Sequence, residues 1–280
     1  MLTWGDPHAT PLVLLHGWMD VGASFQFLVD ALARDWYAIA PDLRGFGDSA
    51  WQPQGYWYHD YLADLEALLD RLVPKQPVRL VGHSLGGNVV MHYAGVRPSR
   101  VDRVVSLEGF GIPAESADDA PRKIAKWLDA LAQPPRFKPY DGIPAVADRL
   151  QQKNARLSRD KAEFLAHRWA RTLPDGRAEL NSDPRHKMPF PHVYRLDESI
   201  AVWRNVEAPV LWVAATESEI PRWIERNSGA DLGSDGLGGV RRRIAHLRNA
   251  RLVTIKDAGH MLHHDQPAAV AAAIEPFLAD

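Results

Sequence analysis

The chain contains no cysteine among its 280 residues. This absence excludes disulfide bonds, a thiol nucleophile and any metal site built on cysteine. An excess of one charge is also missing, because 33 Lys and Arg residues stand against 35 Asp and Glu residues. A nearly balanced charge gives no reason to expect nucleic acid or an anionic membrane as a partner.

The first residues lack the features of a targeting segment. They read MLTWGDPHATPLVLLHG, without a basic n-region, and their apolar run is far too short to span a bilayer. We therefore expect a cytoplasmic location and no membrane partner. At 280 residues the chain is long for one domain, and it fits one large α/β domain with an insertion or two domains.

Residues 78–96, VRLVGHSLGGNVVMHYAGV, join a strand-like run to a helix-like run. The apolar residues before Gly82 predict a buried strand, and residues 88–96 have helical spacing. Glycines on both sides of Ser84 allow the sharp bend that a direct change from strand to helix requires. This G-x-S-x-G pattern predicts a nucleophile elbow, with the Ser84 hydroxyl at the positive end of a helix.

The rest of the chain alternates between strand-like and helix-like stretches. Predicted strands cover residues 2–6 (an edge strand), 11–16, 36–40, 101–107, 208–215 and 251–256, and predicted helices cover 25–33, 58–73 and 267–278. Strands that alternate with helices at this spacing predict right-handed βαβ crossovers and a mostly parallel sheet.

This alternation stops between residues 112 and 206. Helical spacing recurs there in 121–132, 144–154 and 158–173, with no strand-like run. We predict a helical cap over residues 112–206, above the carboxyl edge of a core formed by residues 1–111 and 207–280. A Gly/Ser/Asp-rich stretch at 227–240 predicts a mobile loop, and Arg241–Arg243 are more typical of a solvated helix face than of a phosphate site.

Four segments resemble landmarks of one known family, in that family's order. They are LHGW at 15–18, PDLRGFGDS at 41–49, GHSLGG at 82–87 and DAGHMLHHDQP at 257–267. The chain resembles the α/β-hydrolase fold enzymes, in the capped branch that contains epoxide hydrolases, haloalkane dehalogenases, C–C bond hydrolases and small carboxylesterases. The resemblance implies an α/β-hydrolase fold with an inserted helical cap, and it covers nearly everything except the cap. No landmark identifies a substrate.

A serine nucleophile needs a base within hydrogen-bond reach, and the chain has 12 histidines to choose from. The resemblance places the catalytic histidine at His260, in the Ala-Gly-His turn after the last strand. His263 and His264 could suggest a metal site together with His260. Neither a carboxylate nor a cysteine pattern supports that site, so we expect no metal and no cofactor.

The acid that orients the histidine has two candidates. The family usually carries it just after the strand that ends here at Ala215, where Ser218 occupies the expected position and Glu217 is one position away. Some haloalkane dehalogenases carry a glutamate after the preceding strand instead, and Glu108 falls there. Both candidates keep the order Ser, acid, His. We favour Glu108 and retain Glu217 as the alternative.

The remaining site residues follow from the same resemblance. Oxyanion-hole N–H groups are expected from Leu85 and, by similarity to the family's HG-x element, from Trp18. Predicted substrate-binding residues are Trp18, His83 and Phe110. His16 and His83 are expected to shape the pocket rather than to take protons. From the cap, Trp127, Trp169 and Trp203 could supply an apolar roof, although packing within the cap is the simpler role for each.

The identity of residue 84 narrows the activity. Epoxide hydrolases and haloalkane dehalogenases use Asp at the elbow, whereas serine favours acyl transfer. We predict a cofactor-free serine hydrolase that cleaves small, fairly apolar carboxylic esters through an acyl-enzyme. A C–C bond hydrolase or lactonase on the same triad is the alternative, and a ligand sensor or interaction protein with little turnover is an alternative of another class. The expected partner is a small-molecule substrate, and the oligomeric state stays open.

Overall fold

A seven-stranded, mostly parallel sheet carries the site residues on one of its edges. The computed structural model describes residues 1–74, 76–226 and 231–280. The strands are β1 (Leu2–Trp4), β2 (Thr10–Leu15), β3 (Trp36–Ala40), β4 (Val78–His83), β5 (Val101–Leu107), β6 (Ala170–Thr172), β7 (Ala178–Leu180), β8 (Val210–Ala215) and β9 (Ala250–Ile255). The sheet order is β1-β3-β2-β4-β5-β8-β9, in which β1 is antiparallel to β3 and the other pairs are parallel.

Helices cover both faces of this sheet and also make up much of the segment between β5 and β8. They are α1 (Gln26–Val29), α2 (Tyr58–Leu72), α3 (Leu85–Val96), α4 (Ala120–Ala132), α5 (Ile143–Lys153), α6 (Arg159–Trp169), α7 (Leu196–Arg204), α8 (Ile220–Ile224), α9 (Gly238–Ile244), α10 (Leu262–Asp265) and α11 (Pro267–Ala279). The predicted α/β-hydrolase architecture is confirmed. The helix predicted at 25–33 is instead a 3₁₀ turn, Gly22–Phe25, followed by the short α1.

Successive side chains of the central strands enter different apolar layers. Leu80 of β4 joins the cluster that also contains α2 and α3 residues, whereas Val81 joins the cluster on the opposite face with residues of α11. Such strands are buried on both faces, which is why their sequences read as continuous apolar runs. A third cluster lies within residues 143–180, where Val146 and Leu150 of α5 pack against Leu165 of α6.

The segment between β5 and β8 contains helices α4–α7 and also a hairpin. The expectation that it has no strand is wrong, because β6 and β7 pair antiparallel and α6 ends at Trp169 rather than continuing to residue 173. Each strand is three residues long, too short to leave an apolar run. A turn signal was present in Asp175-Gly176, and Gly176 has φ of 85°.

Within the described ranges, no helix is long and apolar enough to cross a membrane. Residues 227–230 of the predicted mobile loop lie outside the described residues, and Arg241–Arg243 lie in α9. Because β4, β5, β8 and β9 are parallel neighbours, the residues that follow them meet at one edge.

Candidate active site

Ser84 occupies a sharp turn between β4 and α3. Its backbone has φ of 52° and ψ of −111°, a left-handed conformation that is rare for a residue with a side chain. Its N–H donates to the Leu107 carbonyl at 2.8 Å. A Cβ at Gly82 would lie 2.3 Å from the Gly86 oxygen, and a Cβ at Gly86 would lie 2.1 Å from the Leu15 oxygen. The turn therefore requires both glycines, as the elbow pattern indicates.

Glu108 lies next to the histidine of the 257–267 landmark. Its Oε2 is 3.4 Å from His260 Nδ1, and the Glu108 side chain has no exposed surface. The Ala215 N–H donates to Oε1 at 2.7 Å, and the Ser218 hydroxyl donates to Oε2. These donors fix the carboxylate and satisfy it in a buried position, which an isolated buried charge could not tolerate.

Glu217 has different surroundings. Its carboxylate pairs with Arg156, which lies between α5 and α6, and about half of its side chain (48%) is exposed. Its backbone N–H donates to the Ala258 carbonyl at 3.0 Å. The structure thus brings His260 to Glu108 and turns Glu217 toward the segment between β5 and β8.

His16 and His83 lie beneath the site rather than in it. Burial lowers the pKa of His16 to about 4, and its Nε2 accepts the Leu43 N–H at 2.8 Å. Its Nδ1 then donates to the Gly17 carbonyl at 2.8 Å. His83 is 1% exposed, burial holds its pKa well below the usual value, and its Nε2 donates to the His260 carbonyl at 2.8 Å. Direct contact of His83 with a substrate, as predicted, does not fit this burial.

Phe110 packs in the core. It has no exposed surface and its ring centroid lies 5.4 Å from that of Trp212. The prediction that Phe110 lines the substrate site is wrong, since the residue faces the apolar layer that contains α3 residues. Sequence position after a strand end did not reveal which way this side chain points.

Trp18 and Leu85 line a cavity of about 110 Å³ beside the elbow. Trp18 is 51% exposed, and its indole donates to the His186 carbonyl at 3.2 Å. Leu85 also lines a second cavity of about 310 Å³, bordered by Asn88, His92 and Tyr194 among others. Both residues expected in the oxyanion hole therefore border a cavity, and one of them, Leu85, directly follows Ser84 in the chain.

His186 lines the cavity of about 110 Å³ that Trp18 borders, and the sequence did not predict it as a site residue. Its ring is stacked between Phe46 at 3.7 Å and Tyr56 at 3.6 Å, and burial lowers its pKa to about 4. The sequence gives little signal for it, because residues 184–187 form a short 3₁₀ turn within SDPRHKMPF.

The three tryptophans between β5 and β8 have three different environments. Trp127 of α4 borders the cavity of Trp18. Trp203 of α7 is 1% exposed and packs at 5.6 Å against Trp212. Trp169 ends α6 and donates from its indole to Asp20 Oδ1 at 3.0 Å. An apolar roof over the site fits Trp127 alone among these three.

A group of potential metal ligands lies behind His83. Asp20, His263 and His264 are buried and each offers one ligand atom, all within 4.8 Å of one another. His260 is not part of this group. The carboxylate missing from the sequence pattern around His263 and His264 is thus supplied by the loop after β2.

Comparison with known proteins agrees with the fold. Residues 10–267 match the family described as alpha/beta hydrolase fold. A serine hydrolase-like protein of Danio rerio is 28% identical over 98% of this chain and 83% of the relative. The 3-hydroxybutyrate-oligomer hydrolase of Cupriavidus necator is 29% identical over 98% of this chain and 90% of the relative.

A solved structure shares the overall fold. The crystal structure of a hypothetical protein from Pseudomonas aeruginosa PAO1 superposes with a TM-score of 0.81 at 27% identity, covering 99% of this chain and 93% of the other. The family resemblance seen in the four landmarks is confirmed, and the hydrolases among the relatives support hydrolase activity. The chain belongs to the α/β-hydrolase fold family.

Proposed function

We propose that this α/β hydrolase is a serine hydrolase that cleaves small, fairly apolar carboxylic esters through an acyl-enzyme. The observation that carries the proposal is the contact of 3.4 Å between His260 Nδ1 and the buried Glu108 carboxylate, at the sheet edge where the elbow presents Ser84. A serine at an elbow, a histidine and a carboxylate that orients it are the parts of a nucleophilic triad.

In this mechanism Ser84 Oγ attacks the ester carbonyl while His260 accepts its proton. The N–H groups of Leu85 and Trp18 stabilise the negative oxygen that develops on the tetrahedral intermediate. The bond to the alcohol oxygen breaks as His260 protonates it, which leaves the acyl group on Ser84. A water molecule deprotonated by His260 then attacks the acyl carbonyl, and the bond to Ser84 Oγ breaks as His260 returns the proton to it, so that the acid is released. The two steps together return Ser84 and His260 to their starting states and need no cofactor.

Glu108 keeps the imidazole in the tautomer that this mechanism needs. A carboxylate at Nδ1 favours the N–H there, which leaves Nε2 free to accept the Ser84 proton, and it stabilises the positive imidazolium that forms. The hydrogen bonds from Ala215 N–H and Ser218 hold the carboxylate in place before the reaction. No reorganisation is then required when charge develops.

The cavity beside the elbow favours short acyl groups. Its volume is about 110 Å³, and Trp18, Leu85 and Trp127 give it apolar walls. We assign residues 112–206 as the cap that roofs it, because Trp127 and the 185–191 segment border the cavity from that side. The similar Cupriavidus hydrolase acts on 3-hydroxybutyrate oligomers, whose units are joined by ester bonds, and this supports an ester substrate.

Hydrolysis of a p-nitrophenyl ester series from acetate to decanoate tests the proposal, with wild type and Ser84→Ala compared in parallel. We expect activity that requires Ser84, peaks at the short chains and falls as the acyl chain outgrows the cavity. Equal inertness of both proteins on every ester would contradict ester cleavage. A lactone and a β-diketone are then the next substrates to try, and inertness toward these as well would favour the ligand-sensor alternative.

A further inference from the structure

Three buried side chains converge behind the proposed triad. Asp20 (3% exposed) follows β2, while His263 (0%) and His264 (3%) lie on α10, and their ligand atoms are within 4.8 Å of one another. In sequence the aspartate and the histidines are more than 240 positions apart. The fold therefore assembles a cluster that no local motif encodes.

Four polar atoms of this group lack a hydrogen-bond partner in the part of the chain that the structure describes. They are Asp20 Oδ2, both ring nitrogens of His263, and His264 Nε2. Buried polar atoms are normally paired with protein, water or an ion, because an unpaired atom has lost its hydrogen bonds to water and gained none in exchange. Such atoms on three converging side chains indicate that something occupies the space between them.

Neighbouring contacts hold Asp20 and His264, and each keeps one polar atom without a partner. Asp20 Oδ1 accepts the Val21 N–H at 2.8 Å, the Trp169 indole N–H at 3.0 Å and the Ser24 hydroxyl, so its other oxygen is left for the group. The His264 ring interacts with the Ser24 carbonyl, while its Nε2 stays without a partner in the described ranges. Metal ligands are commonly held in this way by a hydrogen bond at the atom that does not bind the metal.

Burial changes the charge states of all three side chains, and it raises the pKa of the Asp20 carboxyl to about 7. A bound cation would favour the ionised carboxylate. Burial holds the pKa of His263 well below its usual value and lowers that of His264 to about 3. Both rings are therefore neutral near pH 7, the form in which an imidazole nitrogen binds a metal. Lys161 is the cation facing this region; its Nζ donates to the His264 carbonyl at 2.8 Å and lies 4.8 Å from the Phe27 ring centroid.

We propose that Asp20, His263 and His264 form a buried binding site for a divalent transition-metal ion of the Zn²⁺ type. Two imidazole nitrogens and one carboxylate oxygen are a donor set that Zn²⁺ uses, with the fourth position left to water. Ligand atoms around a tetrahedral zinc ion lie about 3.3–3.6 Å apart. The present spacing, at most 4.8 Å, requires the side chains to close by roughly 1 Å on binding.

The position of the site indicates a structural role. Trp169 ends α6 between β5 and β8, Asp20 lies in the loop after β2, and α10 follows His260 directly. The His263 ring lies 4.5 Å from that of His83, whose Nε2 bonds the His260 carbonyl. A bound ion joins these segments, so it stabilises the fold near the triad without taking part in ester cleavage. This inference does not depend on the proposed function.

Titration of chelator-treated full-length protein with Zn²⁺ by calorimetry, and with Co²⁺ by visible absorption, tests the site. Asp20→Asn is the matched variant, because Asn keeps the Oδ1 that accepts three hydrogen bonds and replaces the bare Oδ2 with an amide nitrogen. His264→Gln is the second variant, and His8→Gln, at an exposed histidine, is the control.

We expect one Zn²⁺ per wild-type chain, an affinity at least about 100-fold lower in Asp20→Asn and His264→Gln, and no change in His8→Gln. Zn²⁺ should also raise the Tm of the wild type and of His8→Gln while leaving the other two unaffected. If wild type binds Zn²⁺ no more tightly than Asp20→Asn, or if His8→Gln abolishes the binding, the proposal is wrong. Internal water then fills the cluster.

Discussion

Two glutamates near adjacent strand ends of this molecule have opposite surroundings. Glu108 directly follows β5, has a side chain with no exposed surface, and receives hydrogen bonds from Ala215 and Ser218. Glu217 lies two positions beyond the end of β8, is about half exposed and pairs with Arg156. The same residue type at the same edge of the sheet is thus fixed in one case and exposed to solvent in the other.

This difference is the reason for proposing Glu108, and not Glu217, as the carboxylate that acts on His260. A buried carboxylate held by fixed donors keeps its geometry and interacts strongly with a nearby charge, because little water screens it. An exposed ion pair contributes about 1 kcal/mol or less and competes with water and salt. Proximity to a strand end is therefore not sufficient; burial and fixed donors distinguish the two positions.

The comparison predicts its largest effect for Glu108→Gln. This variant should lose about ten-thousand-fold in kcat/KM, because an amide at Nδ1 favours the wrong imidazole tautomer and cannot stabilise the imidazolium. Glu217→Gln, the matched control, should stay within a few-fold of wild type. Hydrolysis of p-nitrophenyl butyrate measures both. The reverse pattern, with activity lost in Glu217→Gln, would break the comparison.

Much of the fold could be predicted from the sequence because its signals are local. Continuous apolar runs predict the buried strands, and the glycines around Ser84 predict the elbow that the backbone adopts. The hairpin of β6 and β7 was not predicted, because strands of three residues are too short to show a periodic pattern. Asp175-Gly176 was nevertheless a turn signal.

The site was predicted less completely, because long-range packing sets the direction of a side chain. Sequence alone favoured Glu108 yet could not exclude Glu217, since the Arg156 pair and the Ser218 hydrogen bond join distant segments. For the same reason the sequence did not predict that Asp20 lies close to His263. The sequence also led to Phe110 being placed at the substrate, whereas it packs on Trp212.

A second prediction tests the effect of burial on another ionisable group, His16, which directly follows β2 and is buried as a neutral group. Burial lowers its folded-state pKa from 6.5 to about 4. Below about pH 6.5 the unfolded chain binds a proton at this residue and the folded chain does not, so stability falls as the pH decreases toward 4. Between pH 7 and pH 5 this residue should cost about 2 kcal/mol of unfolding free energy.

Urea unfolding at several pH values isolates this contribution. In His16→Gln the amide oxygen can still accept the Leu43 N–H, but the group no longer titrates. The variant should therefore lose less stability than wild type between pH 7 and pH 5, by about 2 kcal/mol, whatever its stability at pH 7. His8→Gln, at an exposed position, is the control and should run parallel to wild type. A parallel His16→Gln curve would mean that His16 is not held neutral.

The third prediction moves the carboxylate from the end of β5 to the end of β8. The Ser218 hydroxyl bonds the same Glu108 oxygen that lies 3.4 Å from His260 Nδ1, so an aspartate at 218 brings a carboxylate toward the imidazole from the end of β8. In the Glu108→Gln background, Ser218→Asp should recover activity on the order of ten-fold or more, because the two positions are directly coupled. Ser218→Asn, equal in size but neutral, should recover none.

In the wild-type background Ser218→Asp should instead reduce kcat/KM, since two carboxylates then crowd one site and repel each other. Asp and Asn at position 218 could also give the same activity in the Glu108→Gln background. A negative charge beside His260 would then not explain why the carboxylate after β5 acts and the one after β8 does not, and another group would have to orient the imidazole.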